Sequence, residues 1–397
     1  MTKELKHIPN LRFPEFKNSG EWELKALSKI TSSIFDGTHQ TPQYVDKGVP
    51  FFSVENLVSN AKNRFISQDD YNIATAKNKP EKGDILLTRI GNIGFSSIVS
   101  WDYDFSIYVT LACIKSSSSF NSYFLHSFFQ TNWYQKEITS KSLLTAVPCK
   151  INMRELKSTK VLLPPSPLSI KEQSKIAECL SSLDNYINAT QEKIELLQSY
   201  KKGLMQHLFP ILGEDMPKLR FPKFKKPKGW KIVKLKTICH ITNGKANTQD
   251  HHKNGKYPLF DRSAITKASD EYIFDAEAVI IPGEGVRFIP KYYNGKFNLH
   301  QRAYALKDFT CNALFVYYIM QQKESLLAQK AVQSTVLSLR LPILQEFPIE
   351  LPTDIDEQKE IAECLASIDD LIDTTKQKLV MLQNHKRGLM QQLFPTV

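Results

Sequence analysis

The sequence predicts an α+β chain in which two tandem mixed α/β domains alternate with two long helices that pair as an antiparallel coiled coil. The first observation is that residues 172–210 recur at 357–395 with a constant offset of 185, no gap and 22 identities in 39 positions. The second is that both copies carry heptad spacing. The third is that residues 9–30 recur at 217–238 with an offset of 208. Such self-similarity indicates a tandem duplication with a pseudo-twofold internal repeat.

Each repeated segment is predicted to be a long helix with one narrow apolar seam. The spacings alternate between four and three residues, which favours a partner helix over a broad core. The alternative is that two ordinary amphipathic helices pack separately on globular domains. Pro210 and Pro395 follow the seams and end the helices. The seam positions are Ile176, Leu180, Leu183, Ile187, Thr190, Ile194, Leu197, Lys201, Leu204 and Leu208 in the first copy, and Ile361, Leu365, Ile368, Ile372, Thr375, Leu379, Leu382, Lys386, Leu389 and Leu393 in the second.

The repeat also predicts a register for the helix pair. An antiparallel pairing with full overlap brings Lys201 near Asp369 and Lys386 near Asp184. Charged groups at such positions penalise slipped registers, because a shift leaves them unpaired. We therefore expect two symmetric ion pairs across the seam.

The two repeats divide the chain into four segments. They are a first domain at 1–165, a central helix at 166–210, a second domain at 211–352 and a C-terminal helix at 353–397. Each domain opens with a Gly–x–Trp or Gly–Trp turn, which is followed by leucines and isoleucines in a helix-like pattern. Each domain continues with a strand, a glycine turn and a second strand. One apolar helix and a terminal strand follow. These elements fall at 82–101, 120–138 and up to 163 in the first domain, and at 276–288, 309–330 and up to 351 in the second.

Composition excludes several classes of protein. An apolar content of 42% supports real cores. No run approaches the 18 apolar residues of a membrane span, and the first residues lack the apolar region of a signal peptide, so we expect a cytoplasmic protein. The six cysteines lie far apart, which argues against a zinc ribbon or a disulfide framework. We expect no metal site.

The net charge of +11 is concentrated in one segment. Residues 217–256 carry 12 Lys and Arg against the single acid Asp250, and the rest of the chain is balanced. A local basic patch suits a polyanion, whereas the alternative is a solvated lysine-rich face.

Enzyme signatures are missing from the sequence. There is no phosphate-binding G-x-x-x-x-G-K-[ST] loop, no G-x-G-x-x-G after a strand, no G-x-S-x-G elbow and no H-E-x-x-H helix. An Asn-Pro-Pro-aromatic tetrapeptide is also absent. We therefore predict no catalytic residue in this chain.

The polar residues that remain in the predicted loops are of the types that contact DNA. Arg suits guanine, Asn and Gln suit adenine, and Lys and Thr more often hold phosphates. The candidates in the first domain are Thr38, His39, Gln40, Thr88, Arg89 and Asn92. Those in the second are Lys225, Lys226, Lys228, Lys245, Arg262, Arg287 and Arg302, with Asn243, Asn247, His300 and Gln301 beside them.

The pattern as a whole resembles the DNA specificity subunit of type I restriction–modification enzymes. The resemblance rests on the helix ends KKGLMQHLFP and KRGLMQQLFP, the lead-ins LRFPEF and LRFPKF, and the segments GTHQTPQY and GVPFFSVENL. It implies two target-recognition domains that each read one half of a bipartite, asymmetric site in double-stranded DNA. It implies helices that set the spacing and dock two methyltransferase (modification) subunits, with restriction subunits joining for cleavage. S-adenosylmethionine, ATP and Mg²⁺ would then belong to the partner chains.

The length of the helices fits that role. The 33 residues from Ile176 to Leu208 span roughly 50 Å at about 1.5 Å per residue, or about 15 base pairs of duplex. Two alternatives remain: a stand-alone site-specific methyltransferase or nuclease, and a coiled-coil scaffold that does not bind DNA.

Overall fold

The computed structural model describes residues 7–59, 64–211, 214, 216–224, 229–333 and 336–396. The predicted DNA-contact residues Lys225, Lys226 and Lys228 lie outside the described residues. The chain divides into two compact units, one made of Met1–Thr190 with Lys378–Val397 and the other of Gln191–Gln377. We call them unit 1 and unit 2. Each combines one globular body with a part of each long helix.

The body of unit 1 is built on β-sheets flanked by short helices. Its elements are β1 (Glu23–Ala26), β2 (Ile34–Asp36), β3 (Tyr44–Val45), β4 (Val49–Phe52), α1 (Val54–Ser59), β5 (Phe65–Ile66), α2 (Gln68–Thr75), β6 (Ile85–Thr88), β7 (Ser96–Ile98), β8 (Ser106–Ile107), β9 (Leu111–Ile114), α3 (Ser122–Phe129), α4 (Asn132–Ser140), α5 (Met153–Ser158), β10 (Lys160–Leu163) and the start of α6 (Ser169–Leu208). The sheets have the orders β2-β9-β6-β7, β3-β5-β4-β8 and β1-β10. Strand β4 runs parallel to β8.

The body of unit 2 is also built on β-sheets and short helices. Its elements are β11 (Trp230–Lys234), β12 (His240–Asn243), β13 (Tyr257–Phe260), β14 (Lys267–Ser269), β15 (Phe274–Pro282), β16 (Glu284–Gly285), β17 (Lys291–Leu299), β18 (Ala303–Lys307), α7 (Ala313–Gln322), α8 (Glu324–Lys330), β19 (Val332–Gln333), β20 (Leu337–Ser338), α9 (Leu341–Gln345), β21 (Pro348–Pro352) and the start of α10 (Ile355–Leu393). Its sheets have the orders β12-β18-β15-β17-β13-β14, β16-β20-β19 and β11-β21.

The two bodies share one plan. The antiparallel order β2-β9-β6 of unit 1 matches β12-β18-β15 of unit 2. The parallel pair β4 and β8 matches the parallel pair β13 and β17. The strands are divided among the sheets differently, because the single strand β17 pairs with both β15 and β13, whereas unit 1 uses β7 and β8 for these two pairings. One plan for both units is what the duplicated ends of the sequence predicted.

The central strands are apolar and inaccessible. All four residues of β6 and of β9 are buried, which is the pattern of strands covered on both faces. Helix α3 packs against this sheet and is capped by Asn121, whose side chain accepts hydrogen bonds from the backbone of Tyr123 and Phe124. Asn312 caps α7 in unit 2 in the same way.

Two predicted elements differ from the structure. The helix-like pattern after Trp22 and Trp230 forms strands β1 and β11, which pair antiparallel with β10 and β21. The ladder to the last strand of each body overrides the local periodicity. The apolar helices predicted at 120–138 and 309–330 are each broken in two. Thr131 begins α4 as its N-cap, and its hydroxyl accepts the backbone N–H of Tyr134.

The long helices contain 40 and 39 residues. The Nζ of Lys201 lies 2.7 Å from Asp369, and that of Lys386 lies 2.6 Å from Asp184. Partner numbers fall along α10 as they rise along α6, so the helices run antiparallel in the predicted register. Both ion pairs are confirmed. Each carboxylate also accepts a tyrosine hydroxyl, that of Tyr318 at 2.8 Å from Asp369 and that of Tyr123 from Asp184.

The helix ends pack into the globular cores as well as against each other. In unit 1 the core includes Ile176, Ala177 and Leu180 of α6 together with Leu393 and Phe394. In unit 2 the end of α6 and the start of α10 take the same places. The apolar stripe therefore widens at the ends, and both interpretations of the helices hold in part: the seam pairs the helices, and their ends complete the cores.

The segments 9–30 and 217–238, which we call the lead-ins, each contact the start of a long helix. Arg12 lies 2.7 Å from Glu172, and Arg220 lies 2.7 Å from Glu357. Both glutamates are almost inaccessible, at 0% and 2% exposure. Next to them, Gln173 and Gln358 each accept the backbone N–H of the asparagine that caps the neighbouring helix, at 2.9 Å. These contacts anchor each lead-in to the start of a long helix.

A backbone hydrogen bond joins each lead-in to the end of a long helix. The N–H of Leu11 donates to the carbonyl of Gln392 at 2.9 Å, and the N–H of Leu219 donates to the carbonyl of His207 at 2.9 Å. In unit 2 the two groups are twelve residues apart in sequence. In unit 1 the same contact is made by residues from opposite parts of the chain.

Candidate nucleic-acid interface

In each unit a loop crosses a turn at one edge of the sheet. In unit 1 these are the β2–β3 loop, residues 37–43, and the β8–β9 turn, residues 108–110. The N–H of Thr38 donates to the carbonyl of Ile107 at 3.1 Å, and the N–H of Val109 donates to the carbonyl of Thr38 at 3.0 Å. These two bonds fix the loop against the turn.

Unit 2 repeats this crossing bond for bond. Its parts are the β12–β13 loop, residues 244–256, and the β17–β18 turn, residues 300–302. The N–H of Ala246 donates to the carbonyl of Leu299 at 3.0 Å, and the N–H of Gln301 donates to the carbonyl of Ala246 at 2.9 Å. The duplication has therefore preserved the backbone of this crossing.

A glycine is required at the start of each loop. A Cβ on Gly37 would lie 1.9 Å from the carbonyl oxygen of Ile107, and one on Gly244 would lie 1.8 Å from that of Leu299. Backbone atoms at such distances cannot move aside without breaking the strand. Glycine permits this approach because it has no Cβ.

The side chains on the shared backbone differ between the units. The turn carries Tyr108, Val109 and Thr110 in unit 1, whereas in unit 2 it carries His300, Gln301 and Arg302. In unit 1 the hydroxyls of Thr41 and Tyr108 lie 3.2 Å apart. In unit 2 Gln301 Nε2 donates to Asn247 Oδ1 at 2.9 Å. The same frame therefore presents different donors and acceptors.

Four of the candidates in unit 1 lie on loops. His39 is 73% exposed, and its Nε2 lies 3.1 Å from Asp36. Gln40 is exposed, and its carbonyl accepts the hydroxyl of Thr38 at 3.2 Å. Asn92 is exposed on the turn between β6 and β7. Thr38, His39 and Gln40 lie together on the β2–β3 loop, beside the β8–β9 turn.

Thr88 and Arg89 are instead buried. Thr88 is fully inaccessible, and its hydroxyl accepts the N–H of Phe95 at 2.9 Å. The Arg89 guanidinium donates to Asp36 at 3.1 Å and to the carbonyl of Val109 at 2.9 Å. Burial lowers the pKa of Arg89, and the nearby Asp36 carboxylate opposes that effect. In this conformation Arg89 supports the crossing from inside, whereas Thr88 holds the turn between β6 and β7.

The candidate arginines of unit 2 are exposed but lie near partly buried carboxylates. Arg302 is 58% exposed and lies 2.8 Å from Glu284. Arg262 is 61% exposed and lies 3.8 Å from the same carboxylate. Arg287 is 66% exposed and lies 3.1 Å from Glu324. Glu284 therefore gathers two guanidinium groups next to the β17–β18 turn.

The basic segment 217–256 is partly neutralised by carboxylates from other parts of the chain. Arg220 pairs with Glu357, and Lys223 contacts Glu360. Lys234 and Lys236 share Glu346. Among the described residues, five cations of the segment have no carboxylate within 4.0 Å, namely Lys218, Lys231, Lys245, Lys253 and Lys256. Three of these five lie on the β12–β13 loop, the loop that crosses the β17–β18 turn.

The described ranges contain no group of three or more His, Cys, Asp and Glu side chains that could hold a metal ion. Within those ranges, no helix combines the length and the apolar character that a bilayer crossing requires.

The family described as "Type I restriction modification DNA specificity domain" matches residues 20–199 and 227–384. The chain belongs to this family. It is a specificity subunit with two recognition domains, as the sequence predicted, and such subunits recognise DNA without being catalytic. Unit 1 contains the first recognition domain and unit 2 the second.

Curated relatives are specificity subunits too. The chain is similar to the type I restriction enzyme EcoDI specificity subunit of Escherichia coli, with 28% identity over 155 residues that cover 39% of this chain and 34% of that protein. This match therefore spans about a third of the relative's length. A putative MjaX specificity subunit of Methanocaldococcus jannaschii is 25% identical over 420 aligned positions, which cover 94% of this chain and 92% of that protein.

A solved structure shows the same fold over nearly the whole chain. It is the S subunit of a type I restriction–modification system from M. genitalium, with a TM-score of 0.66, 15% identity and coverage of 98% of this chain and 99% of that one. At this identity the likeness concerns the fold alone.

Proposed function

We propose that each recognition domain reads one half of a bipartite, asymmetric site in double-stranded DNA through its crossed loop and turn. One observation carries this proposal: a backbone crossing kept in both units presents Tyr, Val and Thr in one turn and His, Gln and Arg in the other. A fixed frame with changed side chains is what reading two different sequences requires. Phosphate contacts position such a frame, and base contacts give it specificity.

The side chains at each crossing match the chemistry of base edges. Arg302 and Arg262 present guanidinium groups that suit the O6 and N7 of guanine, and Gln301 suits adenine. In unit 1 Gln40 and Asn92 offer the amide groups that pair with adenine. Glu284 holds Arg302 in place before DNA arrives. Lys245, Lys253 and Lys256 supply phosphate contacts next to these readers.

Thr88 and Arg89 take part differently in this proposal. Arg89 is bonded to the β8–β9 turn and holds the crossing in the conformation that presents the exposed residues, whereas Thr88 is bonded to the β6–β7 turn that carries Asn92. Arg287, paired with Glu324, lies on an exposed loop and is assigned to the DNA surface of unit 2. Lys225, Lys226 and Lys228 are assigned to phosphates on charge alone.

The remaining parts of the chain serve assembly. The paired helices would set the spacing between the two half-sites and dock two methyltransferase subunits, with restriction subunits joining for cleavage. S-adenosylmethionine, ATP and Mg²⁺ would be bound by those partners. Since its substrate is cellular or invading DNA, the complex would act in the cytoplasm.

Methylation mapping tests the proposal. The methylated site is determined in cells carrying this chain and its modification partner, before and after residues 217–350 are exchanged for the matching domain of another specificity subunit. We expect one half of the site to change and the other to remain. A change in both halves or in neither would contradict modular reading. Methyl transfer by the purified chain alone would contradict a non-catalytic role.

A further inference from the structure

In unit 1 a hairpin pairs with the turn that follows the central strand β6. The hairpin is residues 143–150, and the turn is residues 89–94. Lys150 pairs with Leu143 within the hairpin and with Ile90 in the turn. We call the turn and its hairpin together the arm of the unit.

Unit 2 carries an equivalent arm. Its turn is residues 283–288, and its hairpin is formed by strands β19 and β20. Strand β20 pairs antiparallel with β19 and also with β16, which lies in the turn. The same pairings therefore occur in both units, although the two arms differ in sequence.

Each arm is bonded to the turn that takes part in the crossing of its unit. In unit 1 the N–H of Arg89 donates to the carbonyl of Thr110 at 2.9 Å. In unit 2 the N–H of Gly283 donates to the carbonyl of Arg302 at 2.8 Å. Thr110 and Arg302 are the last residues of the β8–β9 and β17–β18 turns, so each arm lies directly beside the crossing.

The arms carry the most exposed apolar side chains of their units. Among the described residues, no large apolar side chain is more exposed than Val147 in unit 1, at 100%, or Val286 in unit 2, at 84%. Leu144 lies in the same hairpin as Val147 and is 60% exposed, and Val336 directly precedes β20 and is 42% exposed. Single exposed apolar residues are common on protein surfaces, but here the most exposed one of each unit lies on the same arm.

The charge around these side chains favours DNA as their partner. Residues 141–150 contain two lysines and no acid, and residues 330–340 contain one lysine, one arginine and no acid. The acid in the turn of unit 2, Glu284, lies 2.8 Å from Arg302. Apolar side chains flanked by cations suit a duplex, because its phosphates border the apolar faces of the stacked bases.

We propose that each arm is an apolar wedge that enters the base stack beside the half-site read by its domain. Leu144 and Val147 of unit 1, and Val286 and Val336 of unit 2, insert at one base-pair step and partly unstack it. Where proteins insert apolar side chains between base pairs, the duplex kinks by about 20–90°. Such a wedge adds specificity through the deformability of the step, without hydrogen bonds to its bases. This inference rests on the proposed function, which brings the duplex to each crossing.

The test measures unstacking and bending of DNA in the assembled complex. The full-length chain and the modification subunit of the same system are bound, without S-adenosylmethionine, to duplexes that carry the bipartite site found by methylation mapping. The fluorescent base 2-aminopurine, which stacking quenches, is placed in turn at unread positions beside each half-site, and dyes at the two duplex ends report bending. We expect the fluorescence to rise at one step beside each half-site, and the duplex to bend by about 20° or more.

Serine at the exposed apolar positions separates the two arms. Leu144→Ser with Val147→Ser should abolish the fluorescence rise beside the half-site of the first domain, leave the rise beside the other half-site and reduce the bend. Val286→Ser with Val336→Ser should have the reverse effect on the two rises. The matched control is Ile73→Ser, which replaces a 77% exposed apolar side chain of α2 and should change neither signal.

A change in the DNA keeps the test decisive if a variant fails to fold. Placing the unstacked step within an A-tract, which is stiff, should weaken binding of the wild-type complex relative to a flexible TA step. Equal binding of the two duplexes would contradict the wedge.

The other outcomes separate the wedge from the proposed function. A wild-type complex that methylates the mapped site without any rise or bend overturns the wedge and leaves the proposed function standing. Serine variants that keep the wild-type rise also overturn the wedge. Folded serine variants that no longer bind the modification subunit overturn it too, because the exposed side chains are then a protein contact. An exchange of residues 217–350 that alters neither half of the methylated site contradicts the proposed function itself.

Discussion

At the scale of single residues, His126 of unit 1 is held neutral by its surroundings. Burial lowers its pKa to about 4, with a further lowering by Lys386 and an opposing effect of Asp184. Its Nδ1 lies 2.9 Å from the Ser96 hydroxyl, and its Nε2 lies 2.7 Å from Gln130 Nε2. The amide donates to Nε2, so the neutral ring carries its proton on Nδ1.

This lowered pKa predicts an acid sensitivity of unit 1. Between pH 6.5 and about 4 the unfolded chain binds a proton at His126 that the folded chain does not, so stability falls as pH falls. The loss reaches at most about 3 kcal/mol. Urea unfolding of wild type and His126→Asn across this range measures it. We expect a shallower pH dependence in the variant, whatever its stability at pH 7, and equal slopes would contradict the assignment.

Arg302 and Lys245 should differ in what they contribute to DNA binding. Replacing Arg302 with Ala removes a base reader, so discrimination at one base pair should fall by about 1–3 kcal/mol. Replacing Lys245 with Ala removes a phosphate contact, so all DNA sequences should bind more weakly. The slope of the logarithm of the binding constant against the logarithm of the salt concentration should fall in magnitude by about one. Binding titrations of specific and mismatched duplexes at several salt concentrations measure both. Identical effects of the two variants would contradict these roles.

The residue types of the site were predictable, but the positions of their side chains were not. The sequence predicted Arg89 to be a base reader because an arginine in a loop suits guanine. Its guanidinium is 8% exposed and bonded to Asp36, a contact over 53 positions that no local pattern reports. Tyr108 was missed because it follows a two-residue strand and stands in no polar cluster. A comparison of the two domains at the crossing would have identified Tyr108.

At the scale of elements, the ion pairs across the helix seam specify the register. Lys201 is 14% exposed and Asp369 32% exposed, so the pair is partly shielded from water. Lys201→Asp should destabilise unit 2 by about 1–3 kcal/mol, because two carboxylates would then face each other. Adding Asp369→Lys should recover most of this loss. Denaturant unfolding of the single and double variants measures the recovery.

Matched exchanges in unit 1 serve as the control for that experiment. Lys386→Asp with Asp184→Lys alters the same contact of the other repeat and should leave the unfolding of unit 2 unchanged. A double variant in unit 2 no more stable than Lys201→Asp alone would show that the pair does not set the register there.

The pairing and register of the long helices were predictable because the heptad pattern is local and occurs twice, whereas the packing of the helix ends into the cores was not. Heptad spacing gave the seam, and the constant offset gave the ion pairs. The lead-in strands were not predictable from local periodicity. Leu24 of β1 is 46% exposed, and what makes the segment a strand is its ladder with β10, whose residues lie far along the chain.

At the scale of the whole molecule, ion pairs with distant carboxylates neutralise part of the positive charge that is contiguous in the sequence at residues 217–256. Glu346, Glu357 and Glu360 lie 90 or more residues after the basic segment, yet they pair with four of its cations. Composition alone therefore overstated the patch. Among the described residues, three of the five cations that remain lie on the β12–β13 loop, which also makes the crossing proposed to read bases.

The hydrogen bond from Leu11 to Gln392 has a consequence for how the chain can be connected. It repeats the bond from Leu219 to His207, which unit 2 makes within a short continuous stretch. A circular permutant should therefore fold: residue 395 joined to residue 9 through a copy of 211–216, with a new opening inside the original 211–216. We expect its thermal midpoint and its half-site preferences to match those of wild type. Loss of folding in unit 2 alone would show that its covalent connection, unlike that of unit 1, is indispensable.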